Sequence, residues 1–150
     1  MPKAKKNIAA IVGGSSDEVE TAFYDALQNA DLERLMACWA DDDEVVCVHP
    51  GGPRMIGLGA IRSAFEAMFN NGSVRVRAEG VRKIEALGSA VHSVRERVEL
   101  LTPEGPMEAV VIATNVYHKT AQGWRLVAHH ASPGNAREPQ DVTDTPPVLH

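Results

Sequence analysis

Several things are scarce in this sequence, and each scarcity excludes something. Phe, Trp and Tyr make up 5% of the 150 residues, too few for a platform on which single-stranded nucleic acid would stack. The formal net charge is −5 and no basic stripe is present, so nucleic acid is not the expected partner. Only two cysteines occur, Cys38 and Cys47, both in apolar segments and in no metal-ligand spacing; they read as small buried residues without a disulfide. The apolar run from Ile8 to Val12 is too short for a signal-peptide core and far too short for a membrane span. A cytoplasmic protein with no membrane partner is therefore expected. No dinucleotide fingerprint, phosphate-cradling glycine loop or Ser-His-Asp elbow is present, so no cofactor is expected either.

What is there is the composition of one globular domain, 44% hydrophobic and 23% charged. Residues 1–14 read as a flexible N-terminal arm, 15–132 as the domain and 133–150 as a flexible, proline-bearing C-terminal tail. Ser15 followed three later by Glu18 is a capping box, and Val19, Ala22, Phe23, Ala26, Leu27 and Ala30 keep helical spacing, which predicts a helix over 16–29. Asp31 caps a second helix with Leu32, Leu35, Met36 and Trp39 on its inner face. A third, carrying Ile61, Ala64, Phe65, Met68 and Phe69, ends at Asn70-Asn71-Gly72. From Val74 the period becomes two. Four strands follow in a meander, with a bulge expected where the alternation slips at Gly80. Helices first and strands after predict an α+β fold: a cone-shaped, strongly bent mixed or antiparallel sheet wrapped on three N-terminal helices, with a ligand pocket inside.

The pattern turns on residues 39–57, WADDDEVVCVHPGGPRMIG. A short apolar strand, Val45 to Val48, presents His49 at its end and stops in Pro50-Gly51-Gly52-Pro53. An ionisable side chain held there by rigid turn residues is placed as a pocket's working group would be. On the strand from Ala90 to Leu101, Glu96 shares a face with Val94 and Val98; a carboxyl facing the core must be paired, hydrogen-bonded or neutralised. On the next strand Val111, Ala113, Asn115 and Tyr117 are expected to face inward, and Val110, Ile112, Thr114, Val116 and His118 outward. His129 and His130 must point to opposite faces, and His130, in step with Ala128 and Ser132, is the one expected inside. His49, His130 and Glu96 are zinc-ligand types, but their spacing gives no support for a metal site, and none is expected.

The helix pair, the WADDD break, the His-Pro turn, the GLGAIRSAF helix start and the closing GWRLVAHHAS strand together resemble a known group. Over residues 17–132 the chain resembles the nuclear transport factor 2-like superfamily, on its ketosteroid isomerase and SnoaL-like (polyketide cyclase-like) side. The resemblance implies the cone fold and a small-molecule pocket. It places His49-Pro50 where the isomerases carry the Asp-Pro of their base. Phe23 falls where they carry an oxyanion-hole tyrosine, with Tyr24 expected to point elsewhere, and Asn115 where they carry a protonated aspartate. With these positions altered, steroid isomerisation itself is not expected.

Two functions remain open at this level. One is proton transfer (isomerase, cyclase or dehydratase) on a small carbonyl compound, with His49 as base and Glu96 orienting it or acting as acid. Asn115, Tyr117, His130, Trp39 and Phe23 would then contact the ligand. The other is a non-catalytic homodimeric module that binds a ligand or serves association. In either case a homodimer through the outer sheet face is expected, because Ala109 to Ala113 is apolar on both faces.

Overall fold

The computed structural model describes residues 13–72, 74–135 and 141–144. Three helices, α1 (Ser16–Asn29), α2 (Leu32–Ala37) and α3 (Leu58–Asn71), accompany six strands. The strands are β1 (Val46–Val48), β2 (Arg54–Ile56), β3 (Val74–Glu85), β4 (Ser89–Thr102), β5 (Gly105–Thr120) and β6 (Gly123–Pro133). The capping chemistry acts as its residue types dictate. Ser15 Oγ accepts the Glu18 N–H at 3.1 Å, and Asp31 Oδ1 accepts the Arg34 N–H at 3.1 Å, each satisfying a donor the helix start leaves over.

The sheet order is β2-β1-β6-β5-β4-β3. All neighbours are antiparallel except β1 and β6, which run parallel, so the short β1 enters beside the last strand and makes the sheet mixed. The helices pack on one face. There Val19, Phe23 and Leu27 of α1, Leu35 of α2, and Ile61 and Phe65 of α3 form one core with Val94, Tyr117 and Leu126. This is the α+β cone that the change of period predicts.

Two irregularities bend the long strands and aim the side chains. In β3 the register shifts between Glu79 and Arg82, around Gly80 at φ 59°. A side chain at Gly80 would be strained by that φ, and its Cβ would sit 2.7 Å from an Arg95 guanidinium nitrogen. The second shift lies in β6. Val116 pairs with Ala128 but Tyr117 pairs with Leu126, leaving Val127 as the extra residue. On either side of it the same face is occupied by Leu126 and then by His129 and Ala131.

The faces of β4 and β5 follow their alternation. Ala90, His92, Val94 and Glu96, and Val111, Ala113, Asn115 and Tyr117, are buried on the helix side. On the outer side Val91, Val110, Ile112 and Val116 stay partly exposed. Towards β3 that outer side is met by residues 141–144, where Asp141 pairs with Arg95 at 3.5 Å. The arm expected over 1–14 and the tail expected over 133–150 lie largely outside the described residues. Among the described residues no helix is long and apolar enough to cross a membrane.

Candidate functional site

Between the helices and the concave face of the sheet lies a cavity of about 440 Å³. Leu27, Phe65 and Met68 wall it from the helices, and Val76, Val98, Val111 and Ala131 from the sheet. Against this apolar lining stand three polar side chains: His49, Glu96 and His129.

His49 reaches the cavity because β1 alternates. Val45 and Cys47 are buried, and His49 falls on their side at the strand's end. The turn behind it closes with the Gly52 N–H donating to the His49 carbonyl at 2.9 Å, and Gly51 takes the φ of 74° that this reversal needs. The imidazole packs edge-on against Phe65, with ring centroids 4.8 Å apart, and its Nε2 is buried with no hydrogen-bond partner. Burial lowers the His49 pKa, so the ring is neutral around pH 7.

Glu96, 5% exposed, projects from the middle of β4. The Tyr24 hydroxyl donates to its Oε2 at 2.7 Å, and His129 Nε2 stands 3.9 Å from the same oxygen. Desolvation dominates here and pushes the Glu96 carboxyl up to about 7; the Tyr24 hydrogen bond opposes the rise and nearby Glu20 adds to it. His129 is pushed the other way, down to about 3, by burial and by the neighbouring imidazoles of His49 and His130. Near neutrality, therefore, the polar end of the cavity holds two uncharged imidazoles and a carboxyl that readily keeps its proton.

Behind Glu96 runs a buried polar layer. Asn115 Nδ2 donates to the Tyr24 hydroxyl at 2.9 Å and lies 3.4 Å from Glu20 Oε2. The Tyr117 hydroxyl donates to Glu20 Oε2 at 2.8 Å, and His92 Nδ1 bonds the same oxygen at 2.9 Å. Asn115 Oδ1 pairs with His129 Nδ1. Burial and adjacent carboxylates raise the pKa values of Tyr24 and Tyr117 well above the usual phenol range, so both remain donors.

Several sequence expectations are corrected here. His130 lies exposed on the outer face and His129 takes the inner place, because the bulge at Val127 shifts the alternation by one residue. Tyr24, expected to point away, bonds Glu96 inside the domain. Phe23 and Trp39 are core residues packed on each other at 6.5 Å between ring centroids, and neither lines the cavity. Asn115 and Tyr117 sit one layer behind the cavity wall, within the hydrogen-bonded network. With His130 outside, the zinc-ligand set does not assemble; among the described residues no group of three or more His, Cys, Asp or Glu side chains could hold a metal. Two participants, Glu20 and His92, were missed. Ser16, Glu20 and Tyr24 recur at helical spacing beside the apolar stripe of α1, the one signal that would have pointed to Glu20.

A family model for the SnoaL-like domain matches residues 17–136. Among solved structures, one assigned as a calcium/calmodulin-dependent protein kinase type II association domain from Thiobacillus denitrificans is 34% identical. It superposes with a TM-score of 0.73 over 82% of this chain and 98% of that one. A structure assigned as a dehydratase of the NTF2-like family from Streptomyces avermitilis is 29% identical, with a TM-score of 0.71 over 79% and 93%. A cystatin-like fold protein from Caulobacter vibrioides, 20% identical with a TM-score of 0.70 over 81% and 88%, shows the shared fold alone. A search of curated proteins found no match. With four-fifths of its length matched, and with the cone and its pocket in place, this chain belongs to the SnoaL-like domain family of the nuclear transport factor 2-like superfamily.

Proposed function

We propose that the cavity binds a small, uncharged, mainly apolar carbonyl compound and catalyses proton transfer on it. The observation that carries this reading is Glu96, a carboxyl held near pH 7 on the wall of an apolar cavity that His49 shares. No cation lines that wall, so a carboxylate or phosphate ligand would find no counter-charge among the lining residues. In the proposed reaction the neutral His49 imidazole takes a proton from the carbon next to the carbonyl. Glu96, in its acid form, donates a hydrogen bond to the oxygen as negative charge develops there. The imidazolium then returns its proton to another carbon, which is isomerisation, or to a departing hydroxyl, which is dehydration. The similarity to the structure assigned as a dehydratase supports the second outcome.

Deuterium uptake tests this with model ketones in place of the natural substrate. A panel of small cyclic and aryl ketones is incubated with the protein in deuterium oxide, and exchange next to the carbonyl is followed by NMR. The expectation is enzyme-dependent exchange of at least one panel member, reduced about 100-fold or more in His49→Ala. Exchange unchanged by that substitution, or none across the panel, would overturn the reading.

A second reading concerns assembly. The partly exposed Val91, Ile112 and Val116 give the outer sheet face an apolar strip, and the similarity to the association-domain structure supports pairing of two copies through it. A homodimer formed this way leaves the cavity on the opposite side of the sheet free, so it is compatible with catalysis and also with a purely associative role.

A further inference from the structure

Glu20 takes no part in the reaction outlined above, yet it is buried on α1 and three hydrogen-bonding groups converge on one of its oxygens. A carboxylate oxygen carries no proton and can only accept, so each group converging on it is a donor. The Asn115 side chain must therefore turn its Nδ2 towards Glu20 and Tyr24 and its Oδ1 towards His129. An amide oxygen cannot donate, so the proton between Asn115 and His129 belongs to the imidazole Nδ1. His129, being neutral, then carries a bare lone pair on Nε2, the nitrogen that faces Glu96.

We propose that Glu20 is a positioning residue: acting through Asn115, it fixes His129 in the Nδ1–H tautomer and so presents an acceptor, not a donor, to Glu96. The functional meaning rests on the proton-transfer reading. An Nε2–H pointing at Glu96 would stabilise the carboxylate and draw it out of its acid form; a lone pair there disfavours ionisation. The other groups acting on Glu96 are Tyr24 and Glu20 itself from α1, whose charge disfavours ionisation, and Cys47 and His49 from β1 and its turn. Of these, Tyr24 donates to the carboxyl and favours ionisation, while burial holds Cys47 and His49 uncharged. Glu20 thus sets the balance from one layer away. It does so with an acceptor that only a carboxyl can keep unambiguous: the amide of a glutamine could turn either its oxygen or its nitrogen to Asn115.

The test is a long-range nitrogen–proton correlation spectrum of the full chain, uniformly labelled with nitrogen-15, at neutral pH. Wild type should show His129 with a protonated Nδ1 and a bare Nε2. In Glu20→Gln a second, Nε2–H population should appear; the alkaline limb of ketone exchange should also move down, a shift to which loss of the Glu20 charge near Glu96 contributes. Tyr24→Phe, which removes the other partner of the Asn115 amide nitrogen together with the donor to Glu96, should keep the wild-type tautomer. The proposal is overturned by an Nε2–H or doubly protonated His129 in wild type, by a folded Glu20→Gln that keeps the wild-type tautomer alone, or by a tautomer change in Tyr24→Phe. The spectrum needs no substrate, so an absence of ketone exchange would end the catalytic reading and leave the tautomer result to decide the role of Glu20.

Discussion

At the scale of single residues, the interior of this domain sets two titratable groups against each other. Glu96 keeps its proton up to about pH 7 in the folded chain, against an ordinary value of 4.5. A raised carboxyl pKa means that the folded state binds the proton more tightly than the unfolded one. The stabilisation is therefore complete below about pH 4.5 and is lost as pH rises through 7, amounting to about 3 kcal/mol. His129 has the opposite sign. With its pKa held down to about 3, it contributes stability that is present above its ordinary 6.5 and lost as pH falls towards 3. Glu96→Gln should accordingly remove the decline in stability between pH 5 and pH 8, as read from urea unfolding midpoints at each pH. Parallel pH profiles for wild type and variant would show that Glu96 is not held protonated by the fold.

Elements show which positions the sequence reveals and which it hides. The faces of β4 and β5 were legible because a period of two over a dozen residues leaves little choice, and Glu96 and Asn115 came with them. The bulge in β3 was legible because glycine marks it. The bulge in β6 was not, since Val127 is an ordinary strand residue and nothing local distinguishes it from its neighbours; the inner histidine was misassigned by that one position. Glu20 and Tyr24 were hidden for a different reason. An apolar stripe counted along α1 stops at its hydrophobic members, while the buried face of this helix is broader and ends in polar groups whose partners lie 72 to 97 residues away in sequence. The end of α1 supplies a test at this scale. Its C-cap, Ala30, adopts φ 54°, a left-handed conformation that costs a residue with a Cβ about 1 kcal/mol relative to glycine. Ala30→Gly should therefore raise the thermal midpoint, despite the greater freedom it gives the unfolded chain. A lower midpoint would mean that the tight connection from α1 to α2 is not the strained element it resembles.

For the molecule as a whole, the two faces of the sheet differ in what covers them. The concave face closes over the cavity. The convex face keeps apolar side chains of β5 half in solvent, as a strand does when something else is to cover it. Sedimentation at micromolar concentration should give a dimer for wild type and a monomer for Val116→Glu, which places a charge in the proposed interface. A monomeric wild type would remove the assembly reading and leave the cavity untouched. The cavity's own chemistry is read from the rate of deuterium uptake by a responsive ketone as a function of pH. A bell-shaped profile is expected. Its acid limb lies below the ordinary pH 6.5 of an imidazole because His49 must be neutral, and its alkaline limb falls near pH 7 because Glu96 must keep its proton. The alkaline limb should vanish in Glu96→Gln. A rate that climbs steadily through pH 9 in wild type, or a profile identical in the two proteins, would contradict proton transfer by His49 with acid-form Glu96 as the hydrogen-bond donor.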